Sequence, residues 1–319
     1  MKKDCTSLFT TYINEMLNFK VHLGYERKTY EGFLNDFSRY CVQHYPTQDR
    51  LTKELVLGWC VQRQSESPSG FRRRIIAVRE FGKYMEAIGE KSYILPSCFV
   101  GGRSTFTPYI FSDEDLTEIF LEADNMEPSL NSPNSHMIVP VLLRMIYFCG
   151  LRPNEGRELL KKDVDLNKGV LFIRKNKSHR ERYVPMSKDM HNLFISYNEK
   201  LQFFAPESEF FFPNTEGIAY SAKWLTRQFL GIWKKVRGTK CTLRVRVYDL
   251  RHRFATTVMM QWLDSGADLY AKLPYLSTYM GHAQFSDTAY YIHLLPEKLL
   301  RSHTMDWESF AELIPEVES

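Results

Sequence analysis

Met280-Gly281-His282-Ala283-Gln284-Phe285-Ser286-Asp287-Thr288-Ala289-Tyr290-Tyr291-Ile292-His293 reads as a glycine turn that presents a histidine, followed by a short helical stretch that projects two tyrosines. Gly281 suits the left-handed residue that ends a helix, and Ser286 has the side chain of a helix cap. Neighbouring residues on a helix diverge by roughly 100°, so only one of Tyr290 and Tyr291 can share a site with His282, and the other is expected to pack. A phenol beside an imidazole offers a nucleophile together with a group that handles protons or charge.

Three other stretches supply what such a nucleophile needs. In Gly150-Leu151-Arg152-Pro153-Asn154-Glu155 the proline marks a first helical turn, which places Arg152 where free backbone N–H groups and the helix dipole attract an anion. Its planar fork can contact two phosphate oxygens at once, and Glu155, three residues on, shares its side of the helix and can brace it. In Tyr248-Asp249-Leu250-Arg251-His252, Asp249 is expected to cap a helix with Tyr248 just outside it and Arg251 in its first turn. His252 is expected to pack or hydrogen-bond locally, the usual fate of a single histidine. Between Arg174 and Pro185 two short β-like runs flank a polar tip that carries Lys175, Lys177 and Arg180, in its plainest reading a solvated turn. Together these groups satisfy the requirements for opening a phosphodiester without a metal: a nucleophile, cations for the charge on the phosphorus oxygens, and an acid for the departing oxygen.

The composition is compatible with a phosphate-rich partner once it is divided along the chain. The 319 residues, 44% of them apolar, can bury substantial cores, and two domains are expected. A net charge of +4 conceals a basic body and an acidic end: residues 302–319 hold five acidic side chains and no lysine or arginine, which leaves a surplus of about nine positive charges on the rest. The six cysteines show no Cys-x-x-Cys pair and no zinc spacing, so a reducing compartment, the cytoplasm, is expected, with no metal and no cofactor. No signal peptide opens the chain, and the best membrane candidate, residues 137–149, is too short and contains Pro140 and Arg144.

Helical spacing of apolar residues from Cys5 to about Gly89, broken at Gly24, Pro46 and residues 65–70, predicts about four helices. In the last, Phe71, Ile75, Val78, Phe81 and Met85 fill one face while Arg72, Arg73, Arg79 and Lys83 lie off it, a cationic side suited to DNA phosphates. The domains expected are 1–91, helical and DNA-binding; 92–108, a linker; 109–301, catalytic; and 302–319, a tail. The second domain opens on the cap Ser112 with acidic residues behind it, then a buried helix over about 137–148, a helix running to about Lys161, strands near 170–174 and 182–186, and helices to the end. The fold class is mainly α with a small antiparallel sheet.

In order and spacing, the motifs around Arg152, Lys177, Arg251 and Gly281-His282 resemble those of the tyrosine recombinase (phage integrase) family over about Thr107 to Leu295. Leu23-Gly24-Tyr25-Glu26-Arg27-Lys28-Thr29-Tyr30 and the 71–85 helix resemble the family's helical core-binding domain. The resemblance implies that Tyr291 is the nucleophile, forming a 3′-phosphotyrosyl link to double-stranded DNA held by Arg152, Arg251 and His282. It implies that Lys177, with Lys175 as the register alternative, protonates the leaving 5′ oxygen. The family's second arginine motif usually begins with histidine; here that position is Tyr248, a poorer proton shuttle near neutrality. The resemblance also implies a monomer that assembles as a tetramer on DNA, with the tail docked in cis or on a neighbouring protomer. Tyr248 and the lengthened approach over residues 272–277 favour an integrase or transposase of a mobile element. A chromosome-dimer resolvase, a type IB topoisomerase-like enzyme and a catalytically impaired DNA-binding module are the alternatives.

Overall fold

The computed structural model describes residues 7–100, 107–174 and 181–295. The chain divides into two compact units, one up to Phe106 and the other from Thr107. Lys175, Lys177 and Arg180, and the expected tail at 302–319, lie outside the described residues.

The N-terminal unit is four helices: α1 (Thr10–His22), α2 (Lys28–His44), α3 (Lys53–Trp59) and α4 (Pro68–Ala87). Polar caps fix two of the starts. Thr52 Oγ1 accepts from the Leu55 N–H at the head of α3, and Ser67 Oγ accepts from the Gly70 N–H at the head of α4, where Pro68 occupies the first turn. The apolar stripe of α4 faces inward, and Phe9, Phe37, Trp59 and Phe81 meet edge-on in a common core. Arg74, next to that stripe, is buried as well: it donates to both carboxylate oxygens of Glu66 at 2.7 Å and to the Val61 carbonyl at 3.0 Å. Arg73 is exposed, Lys83 pairs with Glu80 at 2.8 Å, and Arg79 Nε donates to the Leu95 carbonyl at 2.8 Å. Without helical periodicity the chain stays on this unit as far as Leu95, which is buried in its core.

The C-terminal unit is mainly helical around one small sheet. Ser112 and Asp115 form a reciprocal capping box at the head of α5 (Asp113–Asp124). The central element is α6 (Ser135–Phe148), apolar nearly all round because α5, α8 (Lys188–Phe204) and α10 (Val247–Asp264) all pack on it. After the turn at Gly150 comes α7 (Pro153–Arg157), a single turn. The expected helix to Lys161 stops there: the Phe211 N–H donates to Leu159 O and the Lys161 N–H to Glu209 O, both at 2.8 Å, so sheet-like pairing with a distant segment replaces the helical ladder. Strands β1 (Val164–Asp165), β2 (Val170–Ile173) and β3 (Arg182–Pro185) form an antiparallel meander, with Ile173 opposite Arg182. Three further helices, α9 (Ala222–Arg237), α11 (Leu269–Met280) and the one-turn α12 (Ser286–Ala289), complete the unit. Among the described residues no helix is long and apolar enough to cross a membrane.

Candidate active site

The end of α11 organises the site. Gly281 takes φ +66°, its N–H donates to Thr278 O and the His282 N–H donates to Ser277 O, both at 3.0 Å. That paired pattern is a Schellman turn, which requires a left-handed residue after the helix and sets down His282 next. Three guanidinium groups take the exposed carbonyls of this turn. Arg182 Nε donates to Tyr279 O at 2.7 Å, Arg251 Nη2 to Met280 O at 2.8 Å and Arg152 Nη2 to Gly281 O at 2.8 Å. The negative end of a helix thus holds three fixed positive charges.

The same three cations converge on Glu155, whose side chain is only 4% exposed. It accepts from the Arg152 backbone N–H at 2.9 Å, from Arg152 Nη1 at 2.8 Å, and from Arg182 Nη1 and Nη2 at 3.1 and 2.8 Å, and it lies 3.8 Å from Arg251 Nη1. Burial alone would raise its carboxyl. The Arg182 hydrogen bonds and the charges of Arg182 and Arg251 overturn that and hold it at about 2. Arg152, at the head of α7, keeps a side chain 21% exposed, whereas Arg251 on α10 is fully buried. Arg251 Nη1 donates to Gly150 O at 2.7 Å, and its buried Nε has no hydrogen-bond partner among the described residues.

Tyr291 sits beyond α12, in a 3-10 turn over Tyr290–Leu294, and is 2% exposed. Its ring contacts two imidazoles: His282 at 5.9 Å and nearly parallel, His252 at 5.4 Å and inclined by 58°. The Tyr248 ring also packs on His252, at 4.9 Å. Burial pushes the Tyr291 phenol up to about 12, against the opposing pull of the Arg251 guanidinium. His282 Nδ1 is 2.6 Å from the Thr288 hydroxyl. Burial, reinforced by the charges of Arg251, Arg152 and Arg182, lowers His282 to about 3. His252 falls to about 4, through burial and then the charges of Arg246 and Arg251. At neutral pH the site therefore holds a protonated phenol in contact with two neutral imidazoles, beside a cluster of guanidiniums. It can bind an anion, and its phenol needs a proton acceptor before it can attack.

Residues 118–298 match the phage integrase family. The chain belongs to that family. It is a tyrosine recombinase, an enzyme of the DNA strand-transferase class. A protein of Sinorhizobium fredii named as an integrase/recombinase, y4rE, is 29% identical to this recombinase over 283 residues, covering 88% of this chain and 90% of its own length. The tyrosine recombinase XerC of Bacillus pumilus is 26% identical over 240 residues, covering 72% of each. The solved structure of the XerH site-specific recombinase bound to palindromic difH substrate, in a post-cleavage complex, shares the fold: TM-score 0.66, 21% identity, covering 88% of this chain and 80% of that one.

In this recombinase the fold brings Arg152, Tyr248, Arg251, His282 and Tyr291 together, while Arg72, Arg73, Arg79 and Lys83 belong to the other unit. Three expectations need correction. The α10 helix starts at Val247, so Tyr248 lies inside it; Asp249 is its third residue, with a carboxylate that reaches back to the Arg246 N–H at 2.8 Å. Ser286 begins α12 and does not cap it. Tyr290 is not a packing residue but is 41% exposed, because the inward position belongs to Tyr291. His252 packs, as expected, with Tyr248 one turn back and also Tyr291 as its ring neighbours. The sequence reading also missed Arg182. Its signal was an arginine at the inward phase of an alternating strand, where Arg182 and Val184 are buried and Tyr183 and Pro185 are exposed.

Proposed function

We propose that this recombinase cuts and rejoins double-stranded DNA at specific sites through Tyr291. The phenolic oxygen attacks phosphorus, the bond to the 5′ oxygen breaks, and a 3′-phosphotyrosyl link forms beside a free 5′ hydroxyl. Arg152 and Arg251 bind the phosphate and stabilise its developing charge, His282 hydrogen-bonds it, and Lys177 protonates the leaving oxygen. One ester replaces another, so no external energy source is needed, and a 5′ hydroxyl from a partner strand completes the exchange. The observation that carries this reading is Tyr291 itself, inward-facing and stacked on His282 within reach of the field of Arg251, while its neighbour Tyr290 faces out.

The DNA-bound XerH structure and the cationic side of α4 support duplex binding, with Arg72, Arg73, Arg79, Lys83, Lys175 and Arg180 as the phosphate contacts; assembly of four protomers on two sites is part of the same proposal. Similarity to the integrase/recombinase y4rE, together with Tyr248 at the usual histidine position, favours a mobile-element enzyme over a chromosome-dimer resolvase. The test is covalent trapping on a nicked suicide duplex carrying the site that this chain selects from a randomised library. The Tyr291→Phe variant binds that duplex and forms no adduct, while Tyr290→Phe forms it at the wild-type rate; an adduct retained by Tyr291→Phe refutes the assignment. Recombinant products from intact duplexes separate exchange from topoisomerase-like relaxation.

A further inference from the structure

The usual histidine of the second arginine motif is absent here, and the structure shows what stands in its region. Tyr248 fills the position, and one helical turn on, His252 packs against the rings of both Tyr248 and Tyr291, 4.9 and 5.4 Å away. His252 is 9% exposed, and its Nδ1 is buried with no hydrogen-bond partner among the described residues. An orphaned buried polar atom is costly, so a native fold that keeps one invites a functional explanation. The other imidazole beside Tyr291 differs in this respect, since His282 Nδ1 is held by Thr288 at 2.6 Å.

Resting on the reading of Tyr291 as nucleophile, we infer that His252 is the proton acceptor for its phenol. With the His252 proton on Nε2, Nδ1 is an unused acceptor on a ring whose centroid lies 5.4 Å from that of Tyr291, the one group in the site that must lose a proton, and a small approach of the two rings would bring them into hydrogen-bond range. As the Tyr291 oxygen bonds to phosphorus and the P–O5′ bond breaks, the phenolic proton passes to His252 and the 5′ oxygen takes a proton from Lys177. In the rejoining step His252 returns its proton to the departing Tyr291 oxygen, and the incoming 5′ hydroxyl gives one back to Lys177. Burial, reinforced by the charges of Arg246 and Arg251, keeps His252 neutral, and burial keeps the Tyr291 phenol protonated until it reacts. A histidine displaced by four residues along α10 thereby restores the proton handling that Tyr248 cannot supply.

The experiment measures adduct formation on the selected suicide duplex in two forms, one with the natural 5′ oxygen and one with a bridging 5′ sulfur, whose departure needs no acid. Lys177→Ala is slow on the oxygen substrate and recovers on sulfur. His252→Gln and His252→Asn, confirmed to bind the duplex, are slower than wild type by about 100-fold or more on both. On sulfur, wild type is flat with pH near neutrality, whereas both variants accelerate about tenfold per pH unit, because the phenol must then ionise unaided. Rates within about threefold of wild type, or a slow rate that stays flat with pH in both variants, overturn the inference and leave His252 a packing residue. An adduct formed by Tyr291→Phe counts against the nucleophile instead, so the two failures are distinguishable.

Discussion

Glu155→Gln removes the anion on which three arginines converge, and its consequences can be sized. The carboxylate is 4% exposed and bonded to Arg152 and Arg182. Breaking a buried pair from one side typically costs about 3–5 kcal/mol, because the partner charges remain buried. An independent figure comes from linkage. Glu155 ionises at about 2 in the folded chain against 4.5 for an ordinary glutamate, a difference equivalent to about 3 kcal/mol. Because the folded value is depressed, this stabilisation is fully present above pH 4.5 and is lost as the pH falls towards 2. Urea unfolding of the full chain, read by pulsed hydrogen exchange in peptides of α6, α10 and α11, isolates the unit that holds the site. Wild type should lose its advantage over Glu155→Gln between pH 4.5 and 2, and a cycle with Arg182→Gln should show coupling of more than about 1 kcal/mol. A variant within about 1 kcal/mol of wild type at neutral pH, or a difference that ignores pH across that window, would falsify the view that Glu155 is the electrostatic centre of the site.

Two further substitutions probe the turn that carries His282. Gly281→Ala puts a Cβ at φ +66° and 2.7 Å from Arg182 Nη1, so it should cost more than about 1 kcal/mol by urea titration and slow adduct formation as well, since backbone and guanidinium cannot both keep their places. Thr288→Val keeps the shape and deletes the hydroxyl 2.6 Å from His282 Nδ1; the rate of adduct formation should fall about tenfold for a loss of about 1–3 kcal/mol in stability, and Thr288→Ser should restore most of both.

What the sequence disclosed and what it withheld divide along the range of the forces involved. Local signals carried the helix at Ser135–Phe148, the paired strands at 170–173 and 182–185, the cap at Ser112 and the glycine turn at Gly281, because periodicity, capping and left-handed backbone are written in neighbouring residues. The short α7 was not legible: Pro153 and Glu155 announce a helix, but pairing of Leu159 and Lys161 with residues 209–211 overrides propensity fifty positions away. The start of α10 was misread because an aspartate can cap from the first position or reach back from the third, and only the structure shows that Asp249 does the latter. The partners of Arg182 and His252 were not legible, since they lie 27 and 39 positions away along the chain, although the strand phase of Arg182 marked it as inward.

The charge state of the resting site gives these contacts a common logic. Tyr291 and Arg251 are buried, and the phenol is held near 12 while His282 and His252 are held near 3 and 4. Every one of these displacements opposes spontaneous ionisation: burial disfavours the phenolate, and the guanidiniums disfavour a charged imidazole. A phosphate entering beside Arg152 and Arg251 would offset part of their positive field. It would favour protonated imidazole, and so the transfer of a proton from phenol to histidine, at the moment when the phosphorus is present to be attacked. On this reasoning the arginine cluster binds the substrate and helps to keep the neighbouring imidazoles neutral until the substrate arrives. Neutralising the cluster in the absence of DNA, as in Arg152→Gln, should therefore raise the pKa of His282 in the free protein, which a histidine titration followed by NMR can register. An unchanged His282 would break the link between phosphate binding and activation.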